Sequence, residues 1–172
     1  KVELTSVDQT YFEKIFENKA PGYCYTRVGN PTVTAFENRI TKLEGGMASI
    51  ACASGMAAIM NAILNIVRSG DEIVSSASLY GGSIDLFRDI EEFGIKTRYV
   101  KNNDWEAIEG AINEHTRLLF AETIGNPCLD VTDVERLSEI AHAHKIPLIL
   151  DNTTATAYLF QGLKHGADIV VN

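Results

Sequence analysis

The sequence predicts an α/β domain built on a mostly parallel sheet with helices on both faces. Three observations carry this reading. Short apolar runs alternate with segments of helical period, the runs are almost continuously apolar as in strands covered on both sides, and no repeat or low-complexity linker interrupts the order. With 172 residues the chain suits one domain, which at this length buries about 70% of the surface its unfolded form exposes. The crossovers between parallel strands are expected to be right-handed.

Residues 1–39 show no sustained period and carry Pro21, Gly22, Gly29 and Pro31, which predicts an extended arm with turns. Met56, Ile59, Met60, Ile63, Leu64 and Val67 then recur at helical spacing, and Gly70 stands where a helix end takes a left-handed residue. A strand is predicted over 72–76, a helix over 83–93 closed by Gly94, and a strand over 96–100. A shorter helix follows over 105–113 and a strand over 117–122; Thr132 and Glu135 have the spacing of a capping box opening a helix that runs to His144. Strands over 146–150 and 168–172 complete the series. The chain starts at Lys1 without Met or a charged-then-apolar leader, and stops at a strand that should feed a loop and helix. Both ends are therefore expected to be trimmed, and the chain to be a fragment lacking its C-terminal half.

Hydrophobic residues make up 45% and charged ones 22%, with no run apolar enough for a membrane span. A formal net charge of -8 argues against a phosphate-backbone binder, which needs clustered Lys and Arg, and points to a small-molecule partner. Cys24, Cys52 and Cys128 lie far apart with no C-x-x-C pair, so neither a thiolate zinc site nor a disulfide framework is expected, and a reducing cytoplasm fits best. His142 and His144 are two apart on a predicted helix and point in different directions, which suits helix-end residues and not a metal pair.

Sheets of this kind bind ligands beyond the carboxyl ends of their strands. Four segments should converge there: Ser54-Gly55-Met56, Tyr80-Gly81-Gly82, the run 122–127, and Asp151-Asn152-Thr153. Ser54, Gly55 and Met56 open a helix, where unpaired N–H groups and the helix dipole can receive a phosphate, although a glycine there also serves simple packing. The absence of a G-x-G-x-x-G disfavours a dinucleotide. Asp151 follows an apolar strand, and a carboxylate at the edge of a core needs a cationic or donating partner. A protonated pyridinium nitrogen would serve, and a ring held protonated can accept electron density from a carbanion; a helix-cap or turn aspartate is the plain alternative. Tyr80 offers a flat ring on a glycine loop and could stack on such a ring or be a half-buried packing residue. Tyr25 and Arg27 put a hydroxyl and a guanidinium on the same side of an extended segment, ready to grip a phosphate together, although an ordinary surface pair would look the same.

Taken together, Tyr25-Thr26-Arg27-Val28-Gly29-Asn30-Pro31-Thr32, Ala53-Ser54-Gly55-Met56-Ala57, Leu79-Tyr80-Gly81-Gly82, Glu122-Thr123-Ile124-Gly125-Asn126-Pro127 and Asp151-Asn152-Thr153 resemble the Cys/Met-metabolism, or trans-sulfuration, family of pyridoxal-phosphate enzymes. The resemblance covers nearly the whole chain, and five motifs in register are far more specific than any one. It implies the large domain of an aspartate-aminotransferase-type (fold type I) protein of roughly twice this length, a homodimer or homotetramer assembled as a dimer of catalytic dimers. Residues 1–45 would be an N-terminal arm reaching a neighbouring subunit, and 46–172 an incomplete pyridoxal-phosphate-binding domain.

The resemblance also implies a role for each residue. Gly55 and Met56 give N–H groups to the phosphate of pyridoxal 5'-phosphate beside Ser54, Tyr80 stacks on the ring as the catalytic aromatic, and Asp151 pairs with the ring nitrogen. Asn126 lies near the ring hydroxyl or the substrate carboxylate, Glu122 supports these residues, and Tyr25 and Arg27 bind the phosphate of the neighbouring subunit's site. The family's covalent lysine stands in a Ser-x-Thr-Lys segment after a strand like 168–172; this chain does not contain that segment, and Lys164 does not match it.

Gly82 and the wording Ile124-Gly125-Asn126-Pro127 look more like the family's O-acetylhomoserine sulfhydrylases than its methionine γ-lyases, which usually carry Cys at the Gly82 position. The implied reaction is γ-replacement: the Cα proton is removed, acetate leaves Cγ, and sulfide or a thiol adds to give homocysteine or methionine. Methionine or cystathionine γ-lyase and cystathionine γ-synthase activity are alternatives within the family. A non-catalytic cofactor-binding or interaction module is the alternative of another class, and an unrelated doubly wound nucleotide binder a third.

Overall fold

The computed structural model describes residues 6–17, 19–23 and 25–172, the side chains of 6–9 excepted, so Lys1 and Cys24 lie outside the described residues. Five strands, β1 (Glu72–Ser76), β2 (Lys96–Val100), β3 (Thr116–Glu122), β4 (Leu148–Asp151) and β5 (Ile169–Val171), form one sheet in the order β2-β1-β3-β4-β5. Every pairing is parallel. The expected sheet is therefore present, with β1 and β2 at the bounds predicted.

The segment expected to be an extended arm instead carries two helices, α1 (Ser6–Phe16) and α2 (Pro31–Glu44). Local chemistry explains α2. The Asn30 side chain accepts from the N–H of Thr32 at 2.9 Å, Pro31 takes the first helical position where no donor is needed, and Gly45 closes the helix at φ 71°. Pro31, read as a turn signal, is a helix start. The Tyr11 hydroxyl donates to the Pro21 carbonyl at 2.8 Å and ties α1 to the connection between the two helices.

Beyond α2 four helices fall close to expectation, α3 (Gly55–Ile66), α4 (Gly81–Glu91), α5 (Trp105–Ala111) and α6 (Val134–Ala143), while α7 (Thr156–Leu159) and a 3-10 turn over Gly162–His165 lie in a stretch for which no element was predicted. Two details differ. Gly70 is left-handed at φ 95° but sits in the turn into β1, its N–H donating to the Gly94 carbonyl, while extended Val67 ends α3. Thr132 and Glu135 form no capping box: Asp133 caps α6 by accepting from the N–H of Arg136, because the Thr132 hydroxyl is used on the Glu122 carbonyl at 2.6 Å.

Two apolar layers sandwich the sheet. Ile73, Leu118, Phe120, Ile149 and Val171 pack with Ile59, Ile63 and Phe87 of α3 and α4. Val74, Leu119, Ala121, Leu148 and Leu150 pack with Ile108 of α5 and with Leu137 and Ile140 of α6. Alternate residues of each strand serve opposite layers, which is why the strands read as continuous apolar runs. At the amino end of the sheet, buried Glu72 accepts from Arg98 Nε at 2.5 Å and from Asn113 Nδ2 at 2.7 Å, and these bonds hold its carboxyl down to about 2.

Candidate active site at the carboxyl ends of the strands

From β1 the chain continues outward to β2, whereas β3 leads the other way to β4 and β5, so the connections diverge between β1 and β3 and leave a crevice at their carboxyl ends. Side-chain alternation decides what faces it. Phe120 and Ile149 point to the α3 and α4 layer, so Glu122 and Asp151, two residues further on, point to that side too. The two carboxylates are register partners on adjacent strands.

The helices of the same layer bring their amino ends to this edge. The Ser54 hydroxyl caps α3 by accepting from the N–H of Ala57 at 3.1 Å, and the N–H groups of Gly55 and Met56 have no partner inside the helix. Nothing lies within 4 Å of where a Gly55 Cβ would stand, so the space over this helix end is open. Tyr80 precedes α4 and is 55% exposed. A Cβ on Gly82 would lie 2.5 Å from Tyr80 Cε1 and 3.3 Å from Met56 Sδ, so the tyrosine ring and the first turn of α3 meet over this glycine.

Asp151 is half-buried, less enclosed than its place after an apolar strand suggested. Its Oδ1 accepts from both the N–H and the hydroxyl of Thr153, and among the described residues none donates to Oδ2. Behind it, fully buried Asn152 accepts from the Thr123 hydroxyl at 2.7 Å and donates to the Phe160 carbonyl at 2.7 Å, fixing the turn that carries Asp151.

Glu122 is buried, and its Oε1 accepts from the N–H of Tyr80 at 2.6 Å, while the backbone of Asn126 faces the same carboxylate. Burial pushes its carboxyl up to about 7, the Tyr80 N–H bond and the facing Asn126 backbone oppose the rise, and the negative charges of Asp151 and Asp130 add to it. The run after β3, with a cis Asn126–Pro127 bond, is folded back by an Ile124–Val131 bridge and held by Asp130. Asp130 accepts from the Ser78 hydroxyl and, at 2.8 Å, from Asn102 Nδ2; burial opposes its ionisation, but these bonds keep its carboxyl below the usual range.

The structure therefore brings together Ser54, Gly55, Met56, Tyr80, Asn126 and Asp151. It does not bring Tyr25 and Arg27 to them by any contact among the described residues. The Tyr25–Arg27 segment is a turn closed by Val28 and Gly29 N–H bonds to the Tyr25 carbonyl, not an extended run, and the Arg27 guanidinium lies 5.2 Å over the Tyr25 ring. Lys164 packs its stem against Gly45. Sequence reasoning gave Glu122 only a general supporting role and missed Asp130. The pairing of Glu122 with Asp151 was available from aligning two strand ends, but the Asp130 partners are 28 and 52 residues away and carry no local signal.

The whole arrangement has known counterparts. A family model for Cys/Met metabolism PLP-dependent enzymes matches residues 2–172. The O-acetyl-L-homoserine sulfhydrylase of Leptospira meyeri is 45% identical over 166 residues, 96% of this chain and 38% of its own length. The L-methionine gamma-lyase of Fusobacterium nucleatum subsp. polymorphum is 40% identical over 91% of this chain and 40% of its own length. A Campylobacter jejuni structure containing N'-pyridoxyl-lysine-5'-monophosphate superposes with a TM-score of 0.88 at 36% identity, over 98% of this chain and 42% of that one. The chain thus spans about two fifths of the proteins it matches. Matched along almost its whole length and sharing their fold, the chain belongs to the family of Cys/Met metabolism PLP-dependent enzymes.

Proposed function

We propose that this chain supplies the cofactor site of a pyridoxal-phosphate enzyme that performs γ-replacement on O-acetylhomoserine, with sulfide or a thiol as the incoming nucleophile. One observation carries the cofactor reading: an open helix start, an exposed aromatic ring and a carboxylate with a free oxygen meet on one face of one sheet edge. These groups fit pyridoxal phosphate in chemistry and number. Ser54, Gly55 and Met56 suit a phosphate dianion, Tyr80 a flat ring, and Asp151 a protonated ring nitrogen. When bound there, the cofactor supplies an electron sink for a carbanion at the substrate Cα.

The chain's own residues do the rest. Asp151, steadied by Thr153 and Asn152, offers a carboxylate oxygen to a protonated ring nitrogen. Tyr80 covers a ring face while its backbone is fixed from below by Glu122. Asn126 is set to meet a ring hydroxyl or a substrate carboxylate. Tyr25 and Arg27, exposed on their turn, are assigned to the phosphate of a neighbouring subunit's site, which makes the working unit a homodimer or homotetramer with the segment 1–45 as the exchanged arm. Exposed Phe36, Met47 and Ile50 give this unit apolar surface to cover. Cys52 and Cys128 are free thiols and suit the reducing cytoplasm proposed as its location.

Gly82 separates the two leading reactions. The chain's resemblance to the family's sulfhydrylases there favours replacement over lyase activity, and the Tyr80 ring lies where a side chain at that position would stand, so a Cys there would require the ring to move. The full-length protein supplied with O-acetylhomoserine and sulfide should form homocysteine. Absence of homocysteine together with rapid breakdown of methionine or cystathionine would assign it to the lyases.

A further inference from the structure

Glu122 occupies an unusual position. From the end of β3 its side chain reaches the backbone of the loop after β1 at Tyr80 and the backbone of its own following loop at Asn126, while its carbonyl holds Thr132. One carboxylate thus spans the two connections that diverge at the crevice. Glu122 itself is buried while Tyr80 is exposed, so the Tyr80 N–H bond ties an exposed ring to a carboxylate fixed in the sheet. The charged groups that face it are Asp151 on β4 and Asp130 on the loop after β3, both acidic. Tyr80 at the head of α4 is the titratable side chain beside it, and among the described residues no Lys or Arg pairs with it.

We propose that Glu122 is a positioning residue that sets Tyr80 and Asn126 around Asp151 and releases its proton to solvent when a cationic ring is held at Asp151. This rests on the pyridoxal-phosphate reading above. Burial beside two carboxylates keeps the Glu122 carboxyl near neutrality, at about 7, so close to that pH the site is divided between protonated and ionised forms. A positive charge brought to Asp151 offsets one of the two neighbouring negative charges and favours the ionised form, which also accepts the Tyr80 N–H bond more strongly. Only an O–H bond breaks, and buffer takes the proton.

The experiment uses the full-length protein freed of cofactor and titrated with pyridoxal phosphate at pH 7 by calorimetry, in two buffers of different protonation enthalpy. The wild type is compared with Glu122→Gln, which keeps an acceptor oxygen but cannot ionise, and with Glu122→Ala. The wild type should release up to about half a proton per site more than Glu122→Gln. Glu122→Ala should bind roughly tenfold more weakly, with altered circular dichroism of the bound ring, and Glu122→Gln should recover most of that loss. Equal proton counts in the wild type and Glu122→Gln overturn the proposal, and this comparison stands even if the alanine variant does not fold. Wild-type affinity in a folded Glu122→Ala also overturns it. If the wild type binds no pyridoxal phosphate, the functional reading fails and this proposal with it; if it binds normally with equal proton counts, only the Glu122 proposal fails.

Discussion

At the scale of single residues, the site depends on places where a side chain is absent as much as on those where one is present. Gly125 shows this best. A Cβ there would fall 2.6 Å from Asp130 Oδ1 and closer still to the Ser78 hydroxyl, inside the bond that holds the loop bearing Asn126. Neither neighbour is the free end of a long chain, so the loop itself must shift. Gly125→Ala should cost about 2 kcal/mol of stability and weaken pyridoxal-phosphate binding, read by thermal unfolding and by titration. Full stability with unchanged affinity would show that the loop accommodates the methyl. The placement of Asp151 and Tyr80 at one sheet edge was legible from sequence because each follows or precedes an element whose period is plain. The Ser78–Asp130 bond was not, because nothing local to either residue signals it.

At the scale of elements, the strands were the most legible, since burial on both faces leaves the unambiguous mark of continuous apolar residues. The amino-terminal helices were the least. Exposed Phe16, Val33 and Phe36 show that α1 and α2 have little core to face within this chain, so no clear apolar stripe marks them, and only the Asn30-Pro31 start was available as a signal. The polar end of the sheet gives a second prediction. Glu72 ties β1 to β2 through Arg98 and to the approach to β3 through Asn113, with its carboxyl lowered from 4.5 to about 2. A carboxyl lowered on folding adds stability above its unfolded value and loses it as pH falls from 4.5 toward 2. Thermal unfolding of Glu72→Gln should therefore show a lower midpoint at pH 7 and a shallower decline through that acid range than the wild type. Parallel acid profiles would show that Glu72 gains nothing from its partners. Glu122 behaves in the opposite sense: its raised carboxyl favours the folded state most below 4.5, and that contribution fades as pH rises through about 7.

At the scale of the whole molecule, the order β2-β1-β3-β4-β5 explains why residues from Ser54 to Asp151 meet at one edge, and this much followed from reading the alternation of elements. The proposed assignment of Tyr25 and Arg27 to a second subunit rests instead on resemblance, and it has its own test. Arg27→Ala in the full-length protein should lower cofactor retention. Mixing it with Asp151→Asn should restore about a quarter of the sites when subunits reassort, because a hybrid dimer holds one site with both residues intact. No restoration would mean that Arg27 serves its own subunit. The central claim is the placement of the cofactor, and a crystal structure of the full-length protein with pyridoxal phosphate tests it most directly. The phosphate should lie on the N–H groups of Gly55 and Met56, the ring under Tyr80, and the ring nitrogen against Asp151 Oδ2. A cofactor bound away from the carboxyl ends of β1, β3 and β4, or a ring nitrogen turned from Asp151, would contradict it.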